Sequence, residues 1–430
     1  MGILIPFFVI FFCCLIIWRA CDGFEIGSEY IGRNMSEGVR GGTINAISSS
    51  LPELLTTLIA LFYLRNEDGF SVGLGTTAGS ALFNGMIIPA VCILAVVGSV
   101  VLGTKVTSVN VSTRVLLRDG LTLIFCEIVL ILMINGNTLY WWQGLVLMLL
   151  YFAYFGYMIF GTRRVESSAP GVDDDEDDEE EGTPGMWGQF FYWMSLGPLL
   201  DLESMFVKEH HREQIRKEEW NGWPIMLTSA AVIGIACWAL VWACEALGSG
   251  PGNELHQSYS FLGQELSGIG MQTMFVAVIF ASMATSVPDT VMSIRDARDG
   301  DYDDAVANAL GSNIFDICFA LGFPLFLYTL LFGELHMEPD IAMLSSELRF
   351  LLLILTVVGF FVYLIGKRTT NEDGAVCVQM GRGKAVILIA LYSVFAFYVV
   401  SRGQDAQWAI DVSEVIDGWL QGLPGKESAD

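Results

Sequence analysis

The feature that most constrains this chain is a series of apolar stretches, each long enough to cross a lipid bilayer. An α-helix rises about 1.5 Å per residue, so roughly 20 apolar residues span the hydrocarbon core. The stretches fall at residues 3–32, 43–65, 74–102, 119–135, 139–160, 223–247, 264–294, 303–332, 347–366 and 384–401. A hydrophilic segment at 161–222 divides them five and five. The sequence therefore predicts an all-α membrane protein with ten transmembrane helices.

The composition favours the same class. Hydrophobic residues make up 53% of the chain and charged residues only 16%, whereas a soluble domain carries nearer a quarter charged residues. The net charge of −25 disfavours nucleic acid as a partner, because the phosphate backbone would be repelled. The nine cysteines lie mostly inside apolar runs without metal-ligand spacing, which predicts small buried side chains rather than disulfides or a metal cluster.

The distribution of lysine and arginine predicts how the chain is oriented, since both accumulate on the cytoplasmic side of a membrane. With the N-terminus outside, 17 of the 22 basic residues fall in cytoplasmic segments and four in outer segments, Arg19 lying inside the first stretch. Both termini, including the tail 402–430, are therefore predicted to be extracytoplasmic, and 161–222 a cytoplasmic loop. The first stretch lacks a basic n-region and a cleavage site, so we expect a retained span in the plasma or inner membrane.

Two short motifs occur twice in the same order. The segment "SSSLPELLT" at 48–56 returns as "ATSVPDTVM" at 284–292, and "GSALFN" at 79–84 returns as "GSNIFD" at 311–316. The copies lie five spans apart, and an odd number of spans reverses the direction of the chain through the membrane. The sequence therefore predicts two inverted five-helix repeats, 1–160 and 223–401, an architecture of secondary transporters.

Each copy of the first motif places an acid directly after a proline within an apolar stretch. Such an acid is costly in a membrane and is a functional candidate by default; Glu53 and Asp289 have no basic residue close to them in their spans, since Arg65 stands twelve residues after Glu53 at the end of its stretch. Proline removes a backbone donor and kinks the helix, and carbonyls freed at a kink can coordinate a cation. The two acids are therefore predicted to meet at a shared cation site near the membrane midplane.

Neutral oxygens accompany these acids. They are predicted to come from Ser49, Ser50, Thr285 and Ser286 beside the prolines, and from Ser80, Asn84, Ser312 and Asn313 on the following helices, where Asp316 adds the oxygens of a further acid. Two carboxylates among neutral oxygens suit a hard cation such as Ca²⁺ better than zinc or copper. Gly75, Gly79 and Gly311 are expected to let the helices pack closely. For each serine or threonine, a hydrogen bond to its own backbone remains the alternative.

The paired motifs resemble those of the Ca²⁺/cation antiporter superfamily, particularly its sodium/calcium exchanger branch, which includes potassium-dependent members. The resemblance implies two α-repeats, here at about 43–102 and 264–332, and exchange of Ca²⁺ for Na⁺ by alternating access without a cofactor. It implies that the ligands are Glu53, Asp289, Ser49, Ser50, Thr285, Ser286, Ser80, Asn84, Ser312 and Asp316, with backbone carbonyls of Ala46 and Ser282.

This chain departs from the family pattern in two ways. The usual leading glycine of the motif is Ser48 in one copy and Ala284 in the other. Asp316 stands where the family has Asn or Asp, and an Asp there is associated with K⁺ co-transport, so a K⁺ requirement stays open. The "GNxxE" type of signature of cation/proton exchangers is absent, which weakens H⁺ as the counter-ion.

Other interpretations stay open from the residues alone. They are an H⁺-coupled antiporter of Ca²⁺ or another divalent cation, and a cation channel with the acids as a selectivity ring. The sequence contains no nucleophile–base set and no phosphate-binding loop, so it does not predict an enzyme. It does not determine whether the protein is a monomer or a homodimer. The acidic run 173–181 favours a solvated linker over a Ca²⁺ sensor, and 186–200 favours an interfacial segment. Glu127, inside the fourth stretch, is an acid without a helix-local partner.

Overall fold

The computed structural model describes residues 2–32, 46–64, 67–101, 103–166, 193, 197–206, 221–251, 253, 256–370 and 374–420. The acidic run 173–181 and most of the predicted interfacial segment 186–200 lie outside these residues. These ranges are the described part of the chain.

Helices dominate the first half of the chain. They are α1 (Leu4–Gly32), α2 (Ala46–Ser49), α3 (Leu51–Leu64), α4 (Glu67–Val96), α5 (Thr113–Met133) and α6 (Trp141–Glu166), followed by the short α7 (Gly197–Leu200) and α8 (Leu202–Phe206). Helix α5 begins after Ser112, whose side chain accepts a hydrogen bond from the backbone N–H of Arg114 and so satisfies one free donor of the first turn.

The second half of the chain is also mainly helical and contains two π-helical segments. Its elements are α9 (Trp223–Gly248), α10 (Thr273–Val276), π1 (Ala277–Ala281), α11 (Ser282–Thr285), α12 (Val287–Asp299), α13 (Tyr302–Phe315), π2 (Asp316–Ala320), α14 (Gly322–Phe332), α15 (Pro339–Leu364), α16 (Arg382–Gly403) and α17 (Gln407–Leu420). The helical arm 273–285 bends by 43° where it meets α12.

Short antiparallel strands lie in the loops between the helices. They are β1 (Val100–Val101), β2 (Thr104–Lys105), β3 (Val109–Ser112), β4 (Thr138–Leu139), β5 (Tyr259–Phe261), β6 (Gln264–Leu266), β7 (Leu335–His336), β8 (Arg368–Thr370) and β9 (Val376–Met380). β1 pairs with β2 and β5 with β6, each within one loop. β9 pairs with β8 and β3, and β4 pairs with β7. The β3–β9 and β4–β7 pairs join loops of the first half to loops of the second.

The predicted spans and the observed helices agree in part. Six helices of the described chain are long and apolar enough to cross a membrane, and the bent pair 273–285 and 287–299 makes a seventh. Helix α3 has 14 residues, and α5 and α6, of 21 and 26 residues, are not among the six. The chain is thus an all-helical membrane protein, while ten spans in two repeats stays a prediction.

Several boundaries differ from those predicted by hydropathy. Residues 264–266 form strand β6 rather than the start of a span, and α15 begins at Pro339 rather than at 347. The tail 402–430 contains α17, a helix that the apolar pattern did not predict. A helix continues wherever its backbone hydrogen bonds are satisfied, whether or not its residues are apolar, so its ends need not coincide with those of a hydrophobic run.

Helix α4 lies at the centre of the bundle, packed against α3, α12, α13, α15, α16 and π1. Its glycines allow this approach. A Cβ atom on Gly75 would lie 2.8 Å from the carbonyl oxygen of Met274, and one on Gly79 only 2.1 Å from that of Val278. The expectation of close packing is wrong for Gly311, where the nearest atom to such a Cβ is the Tyr154 hydroxyl oxygen at 3.9 Å.

Candidate cation site

Both acidic motifs lie at helix breaks. Helix α2 ends at Ser49 and α3 begins at Leu51, while Ser286 separates α11 from α12 with φ −81° and ψ 3°. Since proline cannot donate a backbone hydrogen bond, it is tolerated in the first turn of a helix, where that donor is free anyway. The two breaks therefore place Glu53 and Asp289 in the first turns of α3 and α12, where the helix dipole favours negative charge.

The two acids point into the protein and are fully buried. Each is bonded by the serine that opens the motif on the next helix. Ser80 Oγ lies 3.2 Å from Glu53 Oε1, and Ser312 Oγ lies 2.8 Å from Asp289 Oδ1. The duplicated sequence thus makes the same contact twice, once in each half.

Further hydrogen bonds join the two halves. Ser80 Oγ lies 3.0 Å from Asp316 Oδ2 and 2.9 Å from Ser286 Oγ, and Asn84 Nδ2 donates to Asp289 Oδ2 at 2.9 Å. A hydroxyl carries one proton, so Ser80 cannot donate to Glu53 and Asp316 at the same time. The structure therefore brings the three acids around shared hydroxyl and amide groups.

Several buried oxygens of this cluster lack a hydrogen-bond partner. They are Ser50 Oγ, Glu53 Oε2, Asn84 Oδ1 and Asp316 Oδ1. Buried polar atoms are nearly always bonded, and leaving one without a partner costs about 1–3 kcal/mol. A hard cation with oxygen ligands would satisfy all four atoms, so the donor set fits such an ion.

The three carboxylates of the site do not form a compact cluster by themselves. Within the described ranges, no three His, Cys, Asp or Glu side chains meet as a ready-made metal cluster. None of the ion pairs found in that part of the chain involves Glu53, Asp289 or Asp316. The three acids are therefore separated by neutral groups and have no basic partner there.

The remaining predicted ligands differ in whether their oxygens already take part in hydrogen bonds. Ser49 interacts with Asp289 and Thr285 with Glu53, so the motifs bond across the two copies. Thr285 Oγ1 also donates to the Ser282 carbonyl oxygen at 3.2 Å, which already accepts from the Ser286 N–H at 3.0 Å. The Ser282 carbonyl predicted as a ligand is thus engaged within its own helix. Ala46 is the first residue of α2.

Two contacts close to the site were not predicted from the sequence. Asn313 Nδ2 donates to the Ala81 carbonyl oxygen at 2.8 Å, and the Tyr363 hydroxyl donates to the Gly85 carbonyl oxygen. Both bonds fasten α4 to helices of the second half. Asn313 was predicted as a source of oxygen for the site but its bond to Ala81 was not, whereas nothing in the sequence around Tyr363 marks it.

Comparison with known families decides the identity. The sodium/calcium exchanger protein family matches residues 5–160 and 221–401. The chain belongs to this family. The exchanger is therefore an integral, multi-pass membrane antiporter of Ca²⁺ and Na⁺, which confirms what the paired motifs imply. The match is interrupted at 161–220, inside the hydrophilic segment.

Individual relatives and a solved structure agree with this assignment. The exchanger is 24% identical to human sodium/potassium/calcium exchanger 5 over 459 residues, covering 90% of this chain and 83% of the relative. It is 39% identical to human sodium/potassium/calcium exchanger 3 over 137 residues, covering 31% of this chain but 19% of that relative. The crystal structure of the H⁺/Ca²⁺ exchanger CAX aligns over 97% of this chain and 92% of CAX with a TM-score of 0.55 at 12% identity, which shows a shared fold.

Proposed function

We propose that this exchanger binds Ca²⁺ and Na⁺ in turn at the buried cluster around Glu53, Asp289 and Asp316, and moves them by alternating access. The observation that supports this most is the pair of partnerless oxygens, Glu53 Oε2 and Asp316 Oδ1, on acids that share the Ser80 hydroxyl. Negative charge without a basic partner in a buried site calls for a bound cation.

A Ca²⁺ ion takes six to eight oxygen ligands, which is more than three carboxylates provide if each contributes one oxygen. The proposed set is Glu53, Asp289, Asp316, Ser49, Ser50, Ser80, Asn84, Thr285, Ser286 and Ser312, with the carbonyls of Ala46 and Ser282. Ca²⁺ would lie on the side of Glu53 and Asp316, because both oxygens of Asp289 already accept hydrogen bonds. Ser80 would turn its proton away from the ion.

The charge of the site gives a reason for obligatory exchange. One Ca²⁺ or several Na⁺ ions nearly balance the carboxylates, so either loaded state can close around its ions. An empty site would bury uncompensated charges, whose desolvation is costly. We therefore propose that the empty protein resists closure, which prevents leak and makes entry of one ion depend on exit of the other.

The proposed architecture is ten spans in two inverted five-helix repeats, with both termini extracytoplasmic in the cell membrane. The matching Ser80–Glu53 and Ser312–Asp289 bonds support the duplication. The acidic run 173–181 is proposed to be a cytoplasmic linker, and no enzymatic activity is proposed. K⁺ is proposed as a co-transported ion through Asp316, supported by relatives named sodium/potassium/calcium exchangers.

Reconstitution into liposomes tests this proposal. Isotopic Ca²⁺ uptake is measured under an outward gradient of Na⁺, with or without K⁺ outside beside the Ca²⁺, or under an outward gradient of H⁺. We expect uptake with Na⁺ and its loss in Glu53→Gln, while Glu414→Gln, which changes an exposed acid on α17, behaves as the native protein. Uptake driven by H⁺ alone would favour a proton antiporter, and Ca²⁺ flux without any counter-ion would indicate a channel.

A further inference from the structure

A second buried acid lies outside the cation site. Glu127 on α5 is 0% exposed. Thr356 Oγ1 on α15 donates to Glu127 Oε1 at 2.7 Å, and Glu127 Oε2 has no hydrogen-bond partner. Helix α5 belongs to the first half of the chain and α15 to the second. Glu127 therefore sits, like the cation site, where the two halves meet.

A second contact between the two halves lies along a small cavity that Thr356 also lines. Asn313 Nδ2 on α13 donates to the Ala81 carbonyl oxygen on α4 at 2.8 Å. Ala81 and Asn313 stand at the same position of the motifs "GSALFN" and "GSNIFD". This bond and the Glu127–Thr356 bond both connect a helix of the first half to a helix of the second.

This small cavity lies beside Thr356, the partner of Glu127. It has a volume of about 20 Å³ and is lined by Ala81, Asn313 and Thr356 from the two bonds, together with Leu123, Tyr363 and other mostly apolar side chains. That is room for about one water molecule. Asn313 Oδ1 has no partner and is a polar atom that such a water could contact.

No positive side chain is available to Glu127 among the described residues. On its own helix, Arg118 is held by both oxygens of Asp119, and on α15 Arg349 bonds to the Ser345 carbonyl and the Ser346 hydroxyl. The elements packed against α5 carry further acids and weakly acidic groups: Asp303, Asp304, Asp316, Asp340, Glu347, Tyr151, Tyr154, Tyr157, Tyr302, Tyr363, Cys318 and Cys377, beside Asp119 and Cys126 on α5 itself. None of the ion pairs in the described part of the chain involves Glu127, so a bound cation has to neutralise it.

We propose that Glu127 is a proton-binding site, separate from the site that carries Ca²⁺ and Na⁺. One proton taken from solvent resides on Oε2, while Oε1 keeps the hydrogen bond from Thr356. A metal cation is a poor occupant, because the hydrogen bond found to the Glu127 carboxylate in the described chain comes from the Thr356 hydroxyl, whereas Na⁺ or Ca²⁺ needs several oxygen ligands. The neutral acid lets α5 and α15 stay packed, whereas loss of the proton leaves an unpaired charge at their crossing.

Infrared spectroscopy of the full chain in lipid nanodiscs tests this directly and needs no transport. Saturating Ca²⁺ is present to keep the acids of the cation site ionised. At neutral pH, the difference spectrum between native protein and Glu127→Gln is expected to contain one carbonyl band of a protonated carboxylic acid, shifted in D₂O. Thr356→Val is expected to move this band to higher frequency, and Glu414→Gln on α17 to leave it unchanged.

The outcome separates this proposal from the proposed function. Loss of an ionised carboxylate band instead of an acid band in Glu127→Gln would overturn the proton site, whatever the transport assay shows. If Ca²⁺ fails to bind at the cation site, bands of Glu53, Asp289 and Asp316 change in both proteins and cancel in the difference. Should Glu127→Gln not fold, the absence of any band shift in Thr356→Val overturns the proposal.

Discussion

The two helix breaks that carry Glu53 and Asp289 have similar sequences, but the two acids have different hydrogen-bond partners. Asp289 accepts hydrogen bonds on both oxygens, from Ser312 at 2.8 Å and from Asn84 at 2.9 Å. Glu53 Oε1 accepts from a Ser80 hydroxyl that also lies 3.0 Å from Asp316, and Glu53 Oε2 has no hydrogen-bond partner although Thr285 interacts with this acid. The duplicated acids are therefore satisfied in one copy and unsatisfied in the other.

One residue pair accounts for the difference. Asn84 and Asp316 occupy the same position of the repeated motif "GSALFN" and "GSNIFD". The amide of Asn84 can donate to the acid of the opposite copy, whereas the carboxylate of an ionised Asp316 can only accept. The two motifs thus share the same helix break, while the difference between Asn84 and Asp316 leaves the oxygens around Glu53 in need of a bound cation.

The largest expected effect comes from Glu53→Gln, which removes a charge from the unsatisfied side. We expect Na⁺-driven Ca²⁺ uptake to fall by about 100-fold or more, equivalent to about 2.8 kcal/mol at 1.4 kcal/mol per factor of ten. Isotopic uptake into liposomes measures this, with Glu414→Gln as the exposed control. Native rates in Glu53→Gln would remove this acid from the site.

Asn84→Asp tests the comparison by making the satisfied side resemble the other. Asp289 would lose the donor at 2.9 Å and face a like charge. Hydrogen bonds to charged groups contribute about 1.5–3 kcal/mol, so we expect Ca²⁺ uptake at neutral pH to fall by about 10- to 100-fold. Uptake equal to that of the native protein would mean that the Asn84 amide does not support Asp289.

Gly79→Ala compares helix packing in the two copies. An added Cβ at Gly79 would lie 2.1 Å from the carbonyl oxygen of Val278, but at the equivalent Gly311 it would have no atom nearer than 3.9 Å. Overpacking costs about 1–3 kcal/mol, so Gly79→Ala should lower the free energy of unfolding by that amount. Gly311→Ala is the matched control and should be much closer to native. Equal losses in thermal unfolding would contradict the difference.

The smallest effect on rate is expected from Asp316→Asn, which gives both copies the same amide. Glu53 could then receive a donor as Asp289 does, and the site would carry one charge less. We expect Ca²⁺ uptake to fall by about tenfold, equivalent to about 1.4 kcal/mol, because a neutral amide oxygen replaces one carboxylate ligand, while any K⁺ requirement is lost. Uptake with and without K⁺ measures this. An unchanged K⁺ response would count against a role of Asp316 in K⁺ binding.

Much of the fold follows from local chemistry. Apolar length predicts most of the long helices, and the prolines at 52 and 288 predict the breaks at Ser50 and Ser286. The prediction missed α17, because its apolar residues are interspersed with Asp411, Glu414 and Asp417 and no continuous run marks it. Close packing at Gly311 was predicted wrongly, since glycine permits an approach without requiring one.

The site itself could be predicted only as a set of residue types. Glu53, Asp289 and the motif serines are recognisable because acids and proline are costly in an apolar stretch. The partner of Glu127 could not be found, because Thr356 is one of many hydroxyl residues in the chain and lies 229 residues away. Which hydroxyl bonds which acid depends on how helices of different halves pack.

The amino-acid order by itself determined that two acids stand at kinks in apolar segments and that the plan occurs twice. These are consequences of proline stereochemistry and of the cost of charge in lipid, which act within a few residues. Only the tertiary structure decided which acid is satisfied, because Asn84 meets Asp289 and Ser80 meets Asp316 across 205 and 236 residues of chain. A hydrogen bond depends on distances of a few tenths of an ångström, and those are set by helix packing.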